Sequence, residues 1–124
     1  PRLEFVAQAG FFYTVNFLAH RLTLAGMPRP TLQMVNASAF ELCRLPWAAV
    51  SGGPRDPRTP PSALPGRCFD ALYLFALLTD GFGFDQNSSQ IAFVETVGLG
   101  HPEWAYGAIA WYLAEPARAA LLAA

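Results

Sequence analysis

Residues 66–85 read Gly-Arg-Cys-Phe-Asp-Ala-Leu-Tyr-Leu-Phe-Ala-Leu-Leu-Thr-Asp-Gly-Phe-Gly-Phe-Asp. The run from 71 to 78 is apolar without a polar stripe, a pattern typical of a helix that is buried on all sides. We therefore expect a core helix here, around which the rest of the chain packs. We expect it to end at residues 79–81, because Gly81 can adopt the left-handed conformation that closes a helix.

Two aromatic residues follow this helix on a tight turn. Phe82 and Phe84 are separated by Gly83, which lets the backbone stay compact. In this position the rings either pack into the core or offer a platform to a flat ligand. The residues alone leave both alternatives open.

The composition limits the classes of protein to which the chain can belong. Of its 124 residues 53% are hydrophobic and 14% are charged, against the usual ~45–50% and ~25%. So much apolar surface exceeds what a small core hides, and we expect a neighbouring lobe, a partner or a membrane to cover the remainder. The net charge of −1 argues against a nucleic-acid binder, which needs a basic stripe.

The length and the start of the chain suggest a part of a larger protein. A length of 124 residues fits one domain or a part of one. The chain begins at Pro1, without an initiator methionine or a signal peptide. We therefore expect residues 1–124 to form a single segment of a longer chain. No apolar run in the sequence reaches the ~18 residues of a membrane-spanning helix, so we expect any membrane anchor to lie outside the segment.

The pattern along the chain predicts five elements besides the central helix. In chain order they are a strand over residues 3–7, a helix from Gly10 to Gly26, a helix from Thr31 to Pro46, a strand over residues 91–97 and a helix from Pro102 to Pro116. Residues 51–66 hold five prolines and three glycines. We expect them to form a mobile surface loop.

Two cysteines flank this Pro/Gly-rich loop. Cys43 and Cys68 lie 25 positions apart, without the CxxC spacing of a zinc or thioredoxin-like site. Two alternatives remain at this point. They are two buried thiols, or they form a disulfide that closes the loop and stabilises the fold by about 3–4 kcal/mol on the chain-entropy model.

Two Asn-x-Ser triplets are candidate acceptors of N-linked glycans. Asn36 falls inside a predicted helix, whereas Asn87 falls in a polar turn and is the more persuasive acceptor. Together with the cysteines, these triplets favour the secretory pathway.

The sequence contains no self-sufficient catalytic constellation. Both histidines are isolated in sequence, and the acidic residues provide no pair that can be placed on one face for acid–base work. No phosphate-binding glycine loop and no nucleophile elbow occur. We therefore expect no catalytic residue in this chain.

Five short motifs occur in an order that resembles one known family. They are Phe-Phe-Tyr-Thr-Val-Asn-Phe-Leu at 11–18, Ala-x-x-x-Cys-x-x-x-Trp at 39–47, Cys68 ahead of a leucine-rich helix and Gly-Phe-Gly-Phe-Asp at 81–85, Ile-x-Phe at 91–93, and Trp-Ala-x-Gly at 104–107. This order looks like the C-terminal part of the nucleoside triphosphate diphosphohydrolases, the apyrase family. The resemblance covers nearly the whole chain.

The resemblance implies a fold and an activity. The fold would be a helix-rich α/β segment of an actin-like, RNase H-like lobe with one or two strands. The activity would be hydrolysis of nucleoside tri- and diphosphates with a calcium or magnesium ion and an activated water, outside the cell or in the lumen of the secretory pathway. The family's phosphate loops, metal-water carboxylates and catalytic glutamate lie in earlier segments, so we expect this chain alone to be inactive.

The same resemblance assigns roles to individual residues. The family's stacking tyrosine falls on Tyr13, and its Gly-Tyr-Gly-Phe-Asp turn places an opposing ring at Phe82, so that the two form a nucleobase slot. It also implies that Cys43 and Cys68 form a disulfide. One departure is that Phe82 lacks the tyrosine hydroxyl of the family. Another is that Asp80 stands where a basic residue is often seen.

These expectations describe the nucleobase-binding part of a nucleotide hydrolase. Its partners would be a nucleotide and the remainder of the parent protein or a neighbouring subunit. The alternative is a catalytically silent, apyrase-like module with a structural or interaction role, which the high apolar content would equally allow. An upstream Asp-x-Gly-Ser/Thr phosphate loop would distinguish the enzyme from the silent module.

Overall fold

The computed structural model describes residues 4–98, 100 and 104–123, and within the last helix it describes the side chains of residues 105–114. The elements in chain order are β1 (Phe5–Ala7), α1 (Gly10–Leu22), α2 (Leu32–Arg44), α3 (Trp47–Gly52), a 3-10 helix (Pro61–Gly66), α4 (Arg67–Ala76), a π-helical turn (Leu77–Gly81), β2 (Ile91–Phe93) and α5 (Trp104–Ala123). The chain is thus a helix-rich α/β unit, as the sequence predicted at that level.

The two strands form a short parallel sheet. Phe5 pairs with Ile91 and Ala7 with Phe93. Parallel strands need a long crossover connection, and here α1, α2, α3 and α4 lie within that connection. All three residues of β2 are buried, so β2 belongs to the core. The observed strand β2, Ile91–Phe93, is shorter than the strand that the sequence predicted over residues 91–97.

The core lies between the sheet and helices α1, α2 and α4. The largest apolar side chains that are fully buried are Phe17, Phe93, Leu18, Leu32, Val15 and Val35. Helix α2 contributes one apolar face to the core, and every member of that face is buried: Leu32, Val35, Ala39 and Leu42. The hydroxyl of Thr31 accepts a hydrogen bond from the backbone N–H of Met34 at 3.2 Å and caps the helix start.

Helix α1 ends earlier than the sequence predicted. It stops at Leu22, and Thr23 takes the left-handed conformation with φ 55°. The helix therefore closes at Thr23 and not at Gly26. Threonine is β-branched and rarely adopts this conformation, which is why the sequence placed the helix end at a glycine instead.

The prediction that the central helix is buried on all sides is wrong. Helix α4 packs Ala71 and Leu74 into the core, but Phe69 is 69% exposed and Tyr73 is 56% exposed. The two exposed rings stack on each other, with centroids 5.8 Å apart. The exposed face of α4 could not be predicted from the sequence, because it carries aromatic side chains and not the charged ones that usually mark an exposed helix face.

The central helical segment ends at Gly81, within the range that the sequence predicted, but Gly81 is not the left-handed residue. The chain continues through the π-helical turn Leu77–Gly81, and the backbone N–H of Phe82 donates to the Leu77 carbonyl at 2.9 Å. Gly83, with φ 74°, is the left-handed residue. The reversal therefore falls two residues later than Gly81, and it leaves Phe82 at the tip of the turn.

The Pro/Gly-rich residues 51–66 lie mostly at the surface but are anchored in the middle. Asp56 is 3% exposed and Thr59 is 4% exposed. A 3-10 helix occupies Pro61–Gly66. The segment is therefore more ordered than its composition suggested, because internal polar contacts, described below, hold it against α1 and α4.

The last helix extends past the residue at which the sequence predicted its end. Helix α5 runs through Pro116 to Ala123, while its predicted start at Pro102 lies outside the described residues. Side chains on its surface include exposed Tyr106, Ile109 and Tyr112. Among the described residues, no helix has the combination of length and apolarity that crossing a membrane requires.

Candidate functional site

An open apolar cavity of about 930 Å³ lies beside the Gly-aromatic-Gly turn. It is bounded by strand β1, the first turn of α1, Leu78 and the start of β2. Four aromatic rings contribute to its wall: Phe5, Phe11, Phe82 and Phe84. A concave, mostly apolar cavity with aromatic walls is the usual form of a site for a small organic ligand.

The two aromatic residues of the turn have different surroundings. Phe84 is partly buried and packs against the core, and its ring meets the ring of Phe5 edge-on at 4.8 Å. Phe82 is 65% exposed. Of the two alternatives that the sequence left open, core packing therefore describes Phe84 and does not describe Phe82. The Phe82 ring is free to offer a face to a ligand.

Gly83 follows Phe82 directly and has the left-handed backbone conformation. Its φ of 74° is a conformation that side-chain-bearing residues rarely adopt. No atom lies within 4 Å of the position that a Cβ on Gly83 would occupy. Glycine is therefore required here by backbone conformation and not by lack of space.

Tyr13 does not line the cavity that Phe82 borders. The Tyr13 ring is partly buried and meets the Phe12 ring edge-on at 5.4 Å. Phe11, two positions earlier, lines the cavity instead. Residues two apart on a helix point in different directions, so α1 presents one of these rings to the cavity. The structure thus brings Phe82 together with Phe11.

A buried polar cluster anchors the Pro/Gly-rich segment, and we call it the Asp56 cluster; its members are Thr14, Asn16, Asp56, Thr59 and Arg67. The Asp56 carboxylate accepts hydrogen bonds from Asn16 Nδ2 at 3.2 Å and from Thr59 Oγ1 at 2.8 Å. It also accepts one from the backbone N–H of Arg58 at 3.1 Å. Both carboxylate oxygens are therefore occupied by donors.

Arg67 closes the Asp56 cluster from the start of α4. Its guanidinium donates to Thr59 Oγ1 at 3.2 Å and to Thr14 Oγ1 at 3.3 Å. It also forms an ion pair with Asp70 at 3.4 Å. These contacts tie α1, α4 and the segment between α3 and α4 into one unit. Both Asp56 carboxylate oxygens and the hydroxyls of Thr14 and Thr59 accept hydrogen bonds within the cluster, which is the arrangement of a structural anchor.

An ion pair between Arg58 and Glu95 connects the Pro/Gly-rich segment to the chain after β2. Arg58 Nε and a terminal nitrogen donate to the same Glu95 oxygen at 3.0 and 2.8 Å. The hydrogen bond to Glu95, followed by the charge of Glu95, raises the pKa of Arg58. Because both partners are partly exposed to solvent, we expect this pair to add little to stability.

Cys43 and Cys68 form a disulfide. It joins the end of α2 to the first turn of α4, so that the Pro/Gly-rich segment lies within a covalently closed loop. The structure thus contains the bridge that the resemblance implied, and it excludes the alternative of two free thiols.

The described residues do not fit a calcium or magnesium site. Within them, no group of three or more His, Cys, Asp or Glu side chains lies close enough to hold a metal ion. Both cations need several oxygen ligands at short distance.

The chain matches the GDA1/CD39 (nucleoside phosphatase) family over residues 3–121, and it belongs to that family. It is 37% identical to ectonucleoside triphosphate diphosphohydrolase 2 of Homo sapiens over 85 residues, which are 68% of this chain and 16% of that protein. It is 32% identical to ectonucleoside triphosphate diphosphohydrolase 8 of Bos taurus over 112 residues, which are 84% of this chain and 20% of that protein. The chain therefore spans a fifth of these relatives' length or less, and the family resemblance of the sequence is confirmed.

The sequence did not predict Phe11 or the Asp56 cluster. Phe11 is the first of three consecutive aromatic residues. The sequence pattern does not indicate which of the three lines a site, and the family resemblance pointed to Tyr13. The Asp56 cluster joins residues 40 and 53 positions apart in sequence. The one signal for it was an acidic residue in a proline-rich segment, which is the ordinary composition of an exposed loop.

Proposed function

We propose that this chain forms the nucleobase-binding part of a nucleoside tri- and diphosphate hydrolase, within an actin-like lobe of a longer protein. The phosphate site, the catalytic residues and the ligands of a calcium or magnesium ion would lie outside this chain. The observation that carries the proposal is Phe82, an aromatic ring 65% exposed at the rim of an apolar cavity in a member of a nucleoside phosphatase family.

Stacking on Phe82 would supply most of the affinity for the base. Stacking of a base on an aromatic side chain contributes about 1–3 kcal/mol and tolerates every base, since each has a π-face. We therefore expect the site to bind different bases with similar affinity. Asp80, two residues before Phe82, stands where the family often has a basic residue. This position supplies no cation–π contribution, so we expect weaker binding than in a slot closed by an arginine.

The second wall of the slot is either Tyr13 or Phe11. The family resemblance supports Tyr13, and we keep it in the proposal as the ring that stacks once the remainder of the protein is in place. The lining of the cavity supports Phe11. A comparison of variants at both positions separates these two possibilities.

The variant Phe82→Ala in the complete protein is expected to bind nucleotides about 5- to 150-fold more weakly, which corresponds to the loss of about 1–3 kcal/mol of stacking. Because the ring is mostly exposed, its removal opens no core cavity and should leave the thermal unfolding temperature nearly unchanged. Isothermal titration with nucleotides of different bases measures the loss, which should be similar for each base.

Three further variants complete this experiment. Either Phe11→Ala or Tyr13→Ala is expected to reproduce the loss of affinity, and the one that does identifies the second wall. Phe40→Ala is the matched control, because Phe40 is 50% exposed on α2 and does not line the cavity. Unchanged affinity in Phe82→Ala together with reduced stability would show that the ring is a packing element and that the slot does not exist.

We propose that the protein acts outside the cell or in the lumen of the secretory pathway. Two observations support this location. The relatives named above are ectonucleoside triphosphate diphosphohydrolases, and the chain contains a disulfide of the kind that persists in oxidising compartments. The partners would be a nucleotide and the remainder of the parent protein or a neighbouring subunit, with any membrane anchor lying outside this segment.

A further inference from the structure

The turn between Phe84 and β2 carries an Asn-Ser-Ser triplet at residues 87–89. Asn87 lies in a hydrogen-bonded turn, and both Asn87 and Ser89 are exposed. The Asp85 carboxylate accepts from the backbone N–H of Asn87 at 2.9 Å, and the Asp85 carbonyl accepts from the N–H of Ser88 at 3.1 Å. The turn therefore maintains its shape through local hydrogen bonds to Asp85 that leave the Asn87 side chain uninvolved.

The two groups that glycan transfer requires are both accessible in this turn. Within the described part of the chain, no hydrogen bond engages the Asn87 side-chain amide or the Ser89 hydroxyl. An Asn-x-Ser/Thr triplet accepts a glycan when the asparagine and the hydroxyl two residues later lie on an accessible surface loop. The turn at residues 85–89 meets that condition.

The second triplet, at residues 36–38, does not meet it. Asn36 is partly buried in the middle of α2, and Ser38 is 9% exposed. The helical backbone fixes both residues in the i→i−4 hydrogen-bond ladder, and the hydroxyl faces the protein interior. The chain thus contains two Asn-x-Ser triplets, one exposed in a turn and one partly buried in a helix.

We propose that Asn87 carries an N-linked glycan and that Asn36 does not. The inference rests on the proposed extracellular or luminal location. In the transfer, the side-chain amide nitrogen of Asn87 forms a bond to C1 of the first sugar of a lipid-linked oligosaccharide pyrophosphate. The amide gives up one proton, and the lipid pyrophosphate leaves with the electron pair of the broken sugar–oxygen bond.

The glycan would stand beside the apolar cavity without entering it. Asn87 borders a separate polar cleft of about 600 Å³, whose wall also includes Glu4 and Arg29. Gln90 lines both this cleft and the apolar cavity, so the glycan lies near the rim of the cavity. Because Asn87 itself does not line the cavity, loss of the glycan should leave nucleotide affinity unchanged.

The test uses the complete protein secreted from eukaryotic cells. After removal of N-glycans by the amidase PNGase F in ¹⁸O water, peptide mass spectrometry should find ¹⁸O-labelled aspartate at position 87 and unlabelled asparagine at position 36. In gels, Asn87→Gln and Ser89→Ala should each lose one glycan step, whereas the matched control Asn36→Gln should lose none. Ser89→Ala keeps the asparagine, so it distinguishes a lost consensus from a lost side chain.

Two results would overturn the inference. One is unmodified Asn87 in the secreted protein, and the other is a lost glycan step in Asn36→Gln. Failure of the proposed function would appear elsewhere, as unchanged nucleotide affinity in Phe82→Ala. A protein that binds nucleotides through Phe82 but carries no glycan at Asn87 would therefore contradict this inference alone.

Discussion

The variant Asp56→Ala is expected to lower the free energy of unfolding by about 2–4 kcal/mol, although it lies in a proline-rich segment where most substitutions are tolerated. Three donors lose their acceptor: the Asn16 amide, the Thr59 hydroxyl and the Arg58 N–H. A buried donor left without a partner costs about 1–3 kcal/mol. Thr59 is buried and bears this cost in full, while water can replace part of the bonds of Asn16 and Arg58.

Chemical denaturation of the complete protein, followed by circular dichroism, measures this loss. Asp56→Asn is the informative companion, because the amide keeps one acceptor oxygen but turns a donor toward the Thr59 hydroxyl, which already accepts from Arg67. It should recover only part of the stability. Glu41→Ala, at an exposed position on α2, should change stability by less than about 0.5 kcal/mol. Equal stability of Asp56→Ala and Glu41→Ala would mean that the cluster does not anchor the segment.

The sequence predicted best those elements in which buried apolar residues alternate with polar ones. Helix α2 has polar residues between its buried ones, and the helix that its periodicity predicted from Thr31 to Pro46 is observed at Leu32–Arg44. In α4 the exposed face carries Phe69 and Tyr73, and hydrophobicity alone does not distinguish exposed rings from buried ones. The sequence therefore predicted the existence of this helix correctly, but it wrongly predicted that the face with Phe69 and Tyr73 is buried.

The candidate site was predictable to the extent that it depends on local sequence. Phe82 stands next to Gly83, which has the left-handed conformation, and a glycine beside an aromatic residue can be recognised in the sequence. The cavity itself joins β1, α1 and β2, and local patterns carry no information on which ring of α1 points toward β1. For the same reason the Asp56 cluster remained hidden, since its partners come together only when α1 and α4 pack.

The double variant Cys43→Ser/Cys68→Ser is expected to lose about 3–4 kcal/mol of stability. The bridge closes a loop with a sequence separation of 25 residues, and on the chain-entropy model the loss comes from the greater freedom of the unfolded chain. Urea unfolding of the variant and of the reduced wild-type protein should give similar midpoints. A variant as stable as the oxidised protein would show that the bridge contributes nothing to equilibrium stability.

Combining this variant with Asp56→Ala tests how the loop is held. The bridge acts by restricting the unfolded chain, whereas the Asp56 cluster contributes hydrogen bonds that exist only in the folded protein. Two effects on different states should add, so the triple variant should lose the sum of the separate losses to within about 0.5 kcal/mol. A smaller combined loss would mean that without the bridge the segment already leaves α1 and α4, and that the cluster depends on the disulfide to form.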